Sequence, residues 1–214
     1  MIELYSHGSP NGHKISIALE ELGLPYTVHQ INVFAGEGQD PKFLAINPNG
    51  KVPVISDTET GQVITESNAI LLYLADKAGK LVPTKGSERW RAIELLFFQA
   101  SAIGSMFGQR AYFTIMAPET LPHAMQRYLD EGERLHKLLD ALLAGREYFL
   151  NDYSIVDIAH FGWFFTAVHM GFHFDNYPNL KAWYDRVGSR SAVQKGVTIP
   201  SELPDLPPRK DLAA

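Results

Sequence analysis

Two kinds of apolar periodicity share the first third of the chain, and only one continues beyond it. Residues 2–5 and 26–33 read as short strands. Between them Ile15, Ala18, Leu19 and Leu22 recur at i, i+3, i+4 and i+7, the period of a helix with one buried face, and Gly23 and Pro25 end it. A Gly-containing loop is expected over 34–40 and a short helix over 41–46. Residues 52–56 and 62–65 are β-type runs joined by D-T-E-T-G, a polar turn closing on Gly61, which predicts a hairpin. Pro53 falls at the first position of its strand, where a missing N–H is tolerated only on an edge or in a special turn. Ser67 then reads as the cap of a helix carrying Ile70, Leu71 and Leu74, ending near 77–79.

The segment L-V-P-T-K-G at 81–86 interrupts this pattern as a linker, and after it the helical period dominates. Ile93, Leu96, Phe97, Ala100, Gly104 and Phe107 mark one long helix. Tyr128, Leu135, Leu138, Leu139 and Leu142 mark another, ending near Gly145. Ser154-Ile-Val-Asp157 has the form of a capping box, with Asp in place of the usual Glu or Gln. Tyr177-Pro178 opens a last helix to about Arg190, and from Pro200 onward Pro204, Pro207 and Pro208 without apolar period predict an extended tail. The expected organisation is an α/β unit over 1–80, an all-α unit over 87–200 and a tail over 201–214.

Composition narrows the function. The 214 residues carry a net charge of −5 with Lys and Arg scattered, so there is no basic field for nucleic acid. The longest clean apolar run, 69–75, is too short to span a bilayer, and Met1-Ile-Glu-Leu does not resemble a secretory signal, so a cytoplasmic protein is expected. There are no cysteines, which removes disulfides, cysteine metal sites and any protein-thiol mechanism. His169 and His173 have a metal-compatible spacing but no evident third ligand, and no Walker loop or G-x-G-x-x-G is present.

The hairpin unit leaves two groups open at one end: the backbone of Val52 beside Pro53, and the N-terminal N–H groups of the helix at Ser67. An extended peptide fits beside Val52 as an extra strand, with a carboxylate on the Ser67 turn and an ammonium at Glu66. Glutathione presents such a zwitterionic end beside a peptide bond. K-V-P-V followed by E-S-N-A-I-L-L-Y-L resembles the glutathione site of the soluble glutathione S-transferases. That resemblance implies a thioredoxin-like N-terminal domain with a cis proline, followed by an all-helical C-terminal domain.

Thiol chemistry then requires the ligand's sulfur to be ionised. A thiol near pKa 8.5 must be lowered by about two units, roughly 2.7 kcal/mol of preference for thiolate. The first strand-to-helix turn is suited to this: Ser9 reads as an N-cap, Pro10 as the first helical residue, and Asn11 follows. The helix terminus contributes up to ~2 kcal/mol and each hydrogen bond to the charged sulfur ~1.5–3 kcal/mol. Taken alone, Ser9 is an ordinary cap and Asn11 a turn residue; beside a glutathione site they become the catalytic candidates, with Tyr5 as rival. S-P-N-G-H-K resembles the T-P-N-G-H-K of the bacterial nu class, with Ser9 in place of Thr. Further matches are N-P-N-G-K-V-P, M-F-G-Q and A-P-E-T-L-P-H-A.

The nu-class resemblance implies glutathione contacts at Gln39, Lys51, Val52, Pro53, Glu66, Ser67 and Arg127, a homodimer, and glutathione-dependent disulfide reduction. Conjugation to apolar electrophiles and a non-catalytic glutathione-binding scaffold are the alternatives. Gln109, Arg110, Tyr112 and Phe113 are expected near the floor of the second-substrate pocket.

Overall fold

The computed structural model describes residues 1–204. Four strands, β1 (Ile2–Ser6), β2 (Tyr26–Gln30), β3 (Val54–Asp57) and β4 (Gln62–Ile64), form one sheet in the order β2-β1-β3-β4. β1 runs parallel to β2 and antiparallel to β3, and β4 closes the hairpin antiparallel to β3. The crossover between the parallel pair is α1 (Pro10–Leu22), as a parallel connection requires. α2 (Pro41–Leu44) and α3 (Ser67–Ala78) complete a thioredoxin-like domain.

Strand ends differ from the sequence pattern. β2 stops at Gln30 rather than 33, and the loop expected over 34–40 holds two 3-10 turns, Val33–Ala35 and Glu37–Gln39. Pro53 lies just before β3 instead of within it, after a cis Val52–Pro53 bond, so ladder pairing begins at Val54. Ser67 is also corrected: the N-cap of α3 is Glu66, which makes no side-chain capping bond, and Ser67 is the first helical residue.

The remainder is helical. α4 (Gly86–Phe98) and α5 (Ser105–Ala111) are joined without a break by a π-helical stretch, Gln99–Gly104, and a second such stretch, Tyr112–Met116, follows. Next come α6 (Pro122–Leu142), α7 (Ile155–His169) and α8 (Pro178–Gly188). A further helix, α9 (Ser191–Gly196), was not expected; its six residues are too few to show a period. The capping box at Ser154 is formed, with Asp157 accepting from Ser154 N–H at 2.9 Å and from Trp183 Nε1 at 2.9 Å. Residues 201–204 carry no regular structure, and the rest of the expected tail lies outside the described residues.

One continuous apolar core joins the two halves, running from Ile2, Leu4 and Ile55 through Ile15 and Leu19 to Ile158, Phe164 and Trp183. The join is close where α7 crosses α1. A side chain at Gly162 would bring a Cβ within 2.5 Å of Pro10 O, so glycine permits the helices to meet. That crossing carries the start of α1, and with it the candidate turn, against the helical domain.

Candidate functional site

The site is built on the turn between β1 and α1. Ser9 caps α1: its Oγ accepts from Gly12 N–H at 3.1 Å and donates to His7 O at 3.2 Å. The hydroxyl hydrogen is therefore engaged on the main chain. Asn11 is differently placed. Its Oδ1 accepts from Trp163 Nε1 at 3.0 Å and, at a long 3.5 Å, from Ser67 Oγ. An indole nitrogen only donates, so the atom facing Trp163 must be the amide oxygen. Asn11 Nδ2 is left with two N–H groups that bond nothing among the described residues. A pair of oriented donors at a helix N-terminus is suited to a developing or standing negative charge.

Tyr5 is turned elsewhere. Its ring stacks on His29 at 4.7 Å and leans on Phe43 at 6.4 Å, on the opposite face of β1 from the buried Leu4 and Ser6.

Beside this turn lies the start of α3. Ser67 is half-buried and Glu66 exposed, while Val52 stands outside the ladder with no main-chain partner among the described residues. Lys51 is exposed, its carbonyl held by Asn47 Nδ2 at 2.7 Å. The exposed Gln39 packs its amide against Gly50, where a Cβ would lie 2.6 Å from Gln39 Nε2. Gly50 has φ +65°, so the loop carrying Lys51 is shaped by a conformation that favours glycine. Arg127 does not join these residues within one chain: it is exposed and lines a separate polar cavity with His123, Glu131 and Arg134.

Ser9 and Pro10 form one wall of an apolar cavity of about 200 Å³, whose other walls include Phe107, Met116, Trp163, Met170 and Phe172. Of the residues expected there, Arg110 is present, its buried guanidinium between the Phe107 and Phe172 rings at 4.3 and 3.9 Å. Tyr112 and Phe113 are not. Phe113 stacks on Tyr128 at 5.4 Å and Tyr112 is 43% exposed, since helical spacing from the cavity-lining Phe107, Gly108 and Ala111 carries positions 112 and 113 off that face. Gln109 likewise falls outside the cavity lining. Residues 201–204 cross the mouth: Ser201 O lies 3.2 Å from His13 Nε2 and Pro204 O lies 3.1 Å from His169 Nε2. No cluster of three potential metal ligands occurs among the described residues.

Trp163 and Lys14 were not picked out from sequence. Trp163 lies in the apolar run F-G-W-F-F and reads there as core. Lys14 carries a visible signal, since it shares the helical face of Ile17 and Ala18, where a solvated lysine has no place.

A four-stranded sheet with a cis proline ahead of β3 and an apolar cavity against a helical domain together define a thioredoxin-like domain followed by a helical one. The comparisons name the family. The glutathione S-transferase N-terminal domain model matches residues 8–77, and the corresponding C-terminal domain model matches 105–191. The disulfide-bond oxidoreductase YfcG of Escherichia coli (strain K12) is 38% identical over 199 residues, covering 90% of this chain and 93% of that protein. A glutathione transferase family member from Pseudomonas fluorescens pf-5, solved with two glutathione bound, superposes with a TM-score of 0.86 at 39% identity over 93% of each chain. The glutathione transferase of Pseudomonas putida, with one glutathione disulfide per subunit, gives 0.87 at 36% identity over 94% of this chain and 92% of that one. The chain belongs to the glutathione S-transferase family. Among the described residues no helix is long and apolar enough to cross a membrane.

Proposed function

We propose that the protein is a nu-class enzyme that binds glutathione, holds its sulfur as thiolate and uses it to reduce disulfides. The observation that carries this reading is the Asn11 amide, whose oxygen is fixed by Trp163 and whose nitrogen is unspent, in a chain without cysteine. Val52 pairs with the tripeptide main chain beside Pro53, the α3 N-terminus with Ser67 takes the γ-glutamyl carboxylate, and Glu66 takes the adjacent ammonium. Gln39 and Lys51 border the glycyl end. Asn11 donates to the sulfur, and Ser9 joins it if its hydroxyl leaves His7 O. The thiolate attacks one sulfur of the substrate disulfide, the other sulfur leaves and takes a proton, and a second glutathione resolves the mixed disulfide, giving glutathione disulfide and two thiols.

The division into 1–80, 87–200 and a tail over 201–214 is part of the same reading. So is a homodimer, favoured by Trp90 and Phe97, each 71% exposed and two turns apart on α4. Arg127, lining a different cavity in its own chain, is then available for a contact across that interface. A cytoplasmic location suits the need for a reduced glutathione pool. The apolar cavity favours a second reading, conjugation of glutathione to an apolar electrophile.

Turnover of hydroxyethyl disulfide and of a small aromatic halide, each with glutathione, separates the two. Faster disulfide turnover is expected, and faster halide turnover reverses the ranking. Absence of glutathione uptake at millimolar concentration in equilibrium dialysis would falsify both.

A further inference from the structure

Lys14 lies one turn beyond Asn11 on α1, buried where α1, α3 and the first π-helical stretch meet. Its Nζ donates to Ser67 Oγ at 3.2 Å, Asn68 Oδ1 at 3.1 Å and Gln99 Oε1 at 2.7 Å. The two amide oxygens are committed as acceptors, because Asn68 Nδ2 itself donates to Leu96 O at 2.7 Å and Gln99 Oε1 at 3.0 Å. No carboxylate among the described residues pairs with this ammonium; Glu66 acts on it only through space. A buried cation without a counter-ion is costly, and an anion arriving nearby offsets that cost.

The hydrogen-bond polarity is equally telling. An ammonium has donors only, so Ser67 Oγ must accept from it, and the hydroxyl hydrogen must point away from Lys14. In this structure that hydrogen meets only the long contact to Asn11 Oδ1, 3.5 Å. It is a donor in reserve, on the first residue of α3.

We propose that Lys14 is a positioning residue for the α-carboxylate of the γ-glutamyl group, supplying buried positive charge beneath Ser67 and fixing its hydroxyl as an outward donor. The inference rests on reading this site as a glutathione site, and adds to it a residue that touches no ligand atom.

A pH dependence follows. Burial pulls Lys14 down to about 7, against the opposing pull of Glu66. The groups around it are Glu66, Ser67 and Asn68 from α3, Gln99 from the π-helical stretch, and His160 and Gly162 from α7. His160 is itself held well below its usual range by burial, despite its Val156 hydrogen bond, with the Lys14 charge adding to the depression, so it brings no competing positive charge near pH 7. When the amine loses its proton, its lone pair accepts and the Ser67 hydrogen turns inward. By linkage, a bound carboxylate raises the Lys14 midpoint, so glutathione affinity is retained at low pH and falls as pH rises through that midpoint.

The test is isothermal titration with glutathione and with 4-aminobutyryl-cysteinyl-glycine, which lacks only the α-carboxylate. Wild type should prefer glutathione by about tenfold or more. Lys14→Met should cut that preference several-fold, the α3 N–H groups and Ser67 retaining the rest, without changing affinity for the analogue, and Lys14→Arg should restore part of the loss. Equal weakening of both peptides by Lys14→Met would mean a scaffold role and overturn the proposal, as would a wild type that binds both peptides equally. A wild type that takes up neither peptide fells the proposal together with the glutathione reading. Should the variants not fold, ¹⁵N-lysine NMR of the wild type decides: the Lys14 midpoint should rise with glutathione and stay in place with the analogue. A midpoint moved by neither peptide, or equally by both, overturns the assignment.

Discussion

Beside the β1–α1 turn the sheet-bearing domain offers main-chain groups and charge, at Val52, Glu66 and Ser67, whereas the cavity on the turn's other side takes rings and a thioether from the helical domain, at Phe107, Trp163, Phe172 and Met170. The first kind of surface recognises a ligand by matched donors and acceptors, so an alteration there costs a whole hydrogen bond or charge. The second recognises by shape and area and tolerates exchange of one apolar side chain for another. A tripeptide of fixed chemistry suits the first wall, and a variable partner suits the second. Trp163 belongs to both: its ring lines the cavity while its Nε1 sets the Asn11 amide.

The largest effect that would break this contrast is expected at Asn11. Asn11→Ala should lower kcat by roughly 10²–10³, the usual loss for one preorganised donor to a reacting anion, while glutathione affinity stays within a few-fold. Steady-state kinetics with calorimetry checks it; unchanged turnover moves the role to Ser9.

Acid should act chiefly through buried histidines, the most strongly depressed of which lie in the helical half. His136 and His160 are buried in the helical half, and burial holds them down at about 3 and about 4. The unfolded chain binds protons to both below about pH 6.5, so the stability each confers is complete above that pH and is lost as pH falls toward the folded values. Asp157 opposes them: burial raises it to about 6 against its hydrogen bonds from Trp183 and the capping box, so it gains stability on acidification. A net loss of roughly 2–3 kcal/mol between pH 7 and 5 is expected. In the sheet half His7 and His13 are also lowered by burial and share the acid loss, whereas Asp57, pushed up by burial but held at about 2 by Tyr73 and Lys77, keeps its contribution until far lower pH. A urea midpoint unchanged from pH 7 to 5 would refute the histidine account.

Glu66→Ala should weaken glutathione by about 2 kcal/mol, the loss of a partner for a charged group, with kcat at saturation little altered. The smallest effect sharpens the contrast most. Trp163→Phe keeps the ring and removes the N–H, so about 1 kcal/mol, a five- to tenfold drop in kcat, is expected with unchanged affinity for an apolar second substrate. A larger loss of second-substrate binding than of rate would place Trp163 wholly in the apolar wall.

Local order in the sequence determined much of this protein. The D-T-E-T-G hairpin, the helical faces of α1 and α3, and the Ser154–Asp157 capping box each follow from residues within a few positions of one another, where turn chemistry and periodicity act directly. Tertiary structure decided which polar atoms are spent and which remain available. Ser67 reads as a cap from its neighbours, yet Lys14 and Asn11, 53 and 56 residues away, engage its hydroxyl instead. Asn11 acquires a fixed amide only through Trp163, 152 residues away, and the cavity takes Phe107 and Arg110 from the long helix rather than Tyr112 and Phe113, a choice made by how that helix packs. A hydrogen bond has a polarity as well as a distance, and that polarity is set by the partner, which for these side chains lies in a different part of the chain.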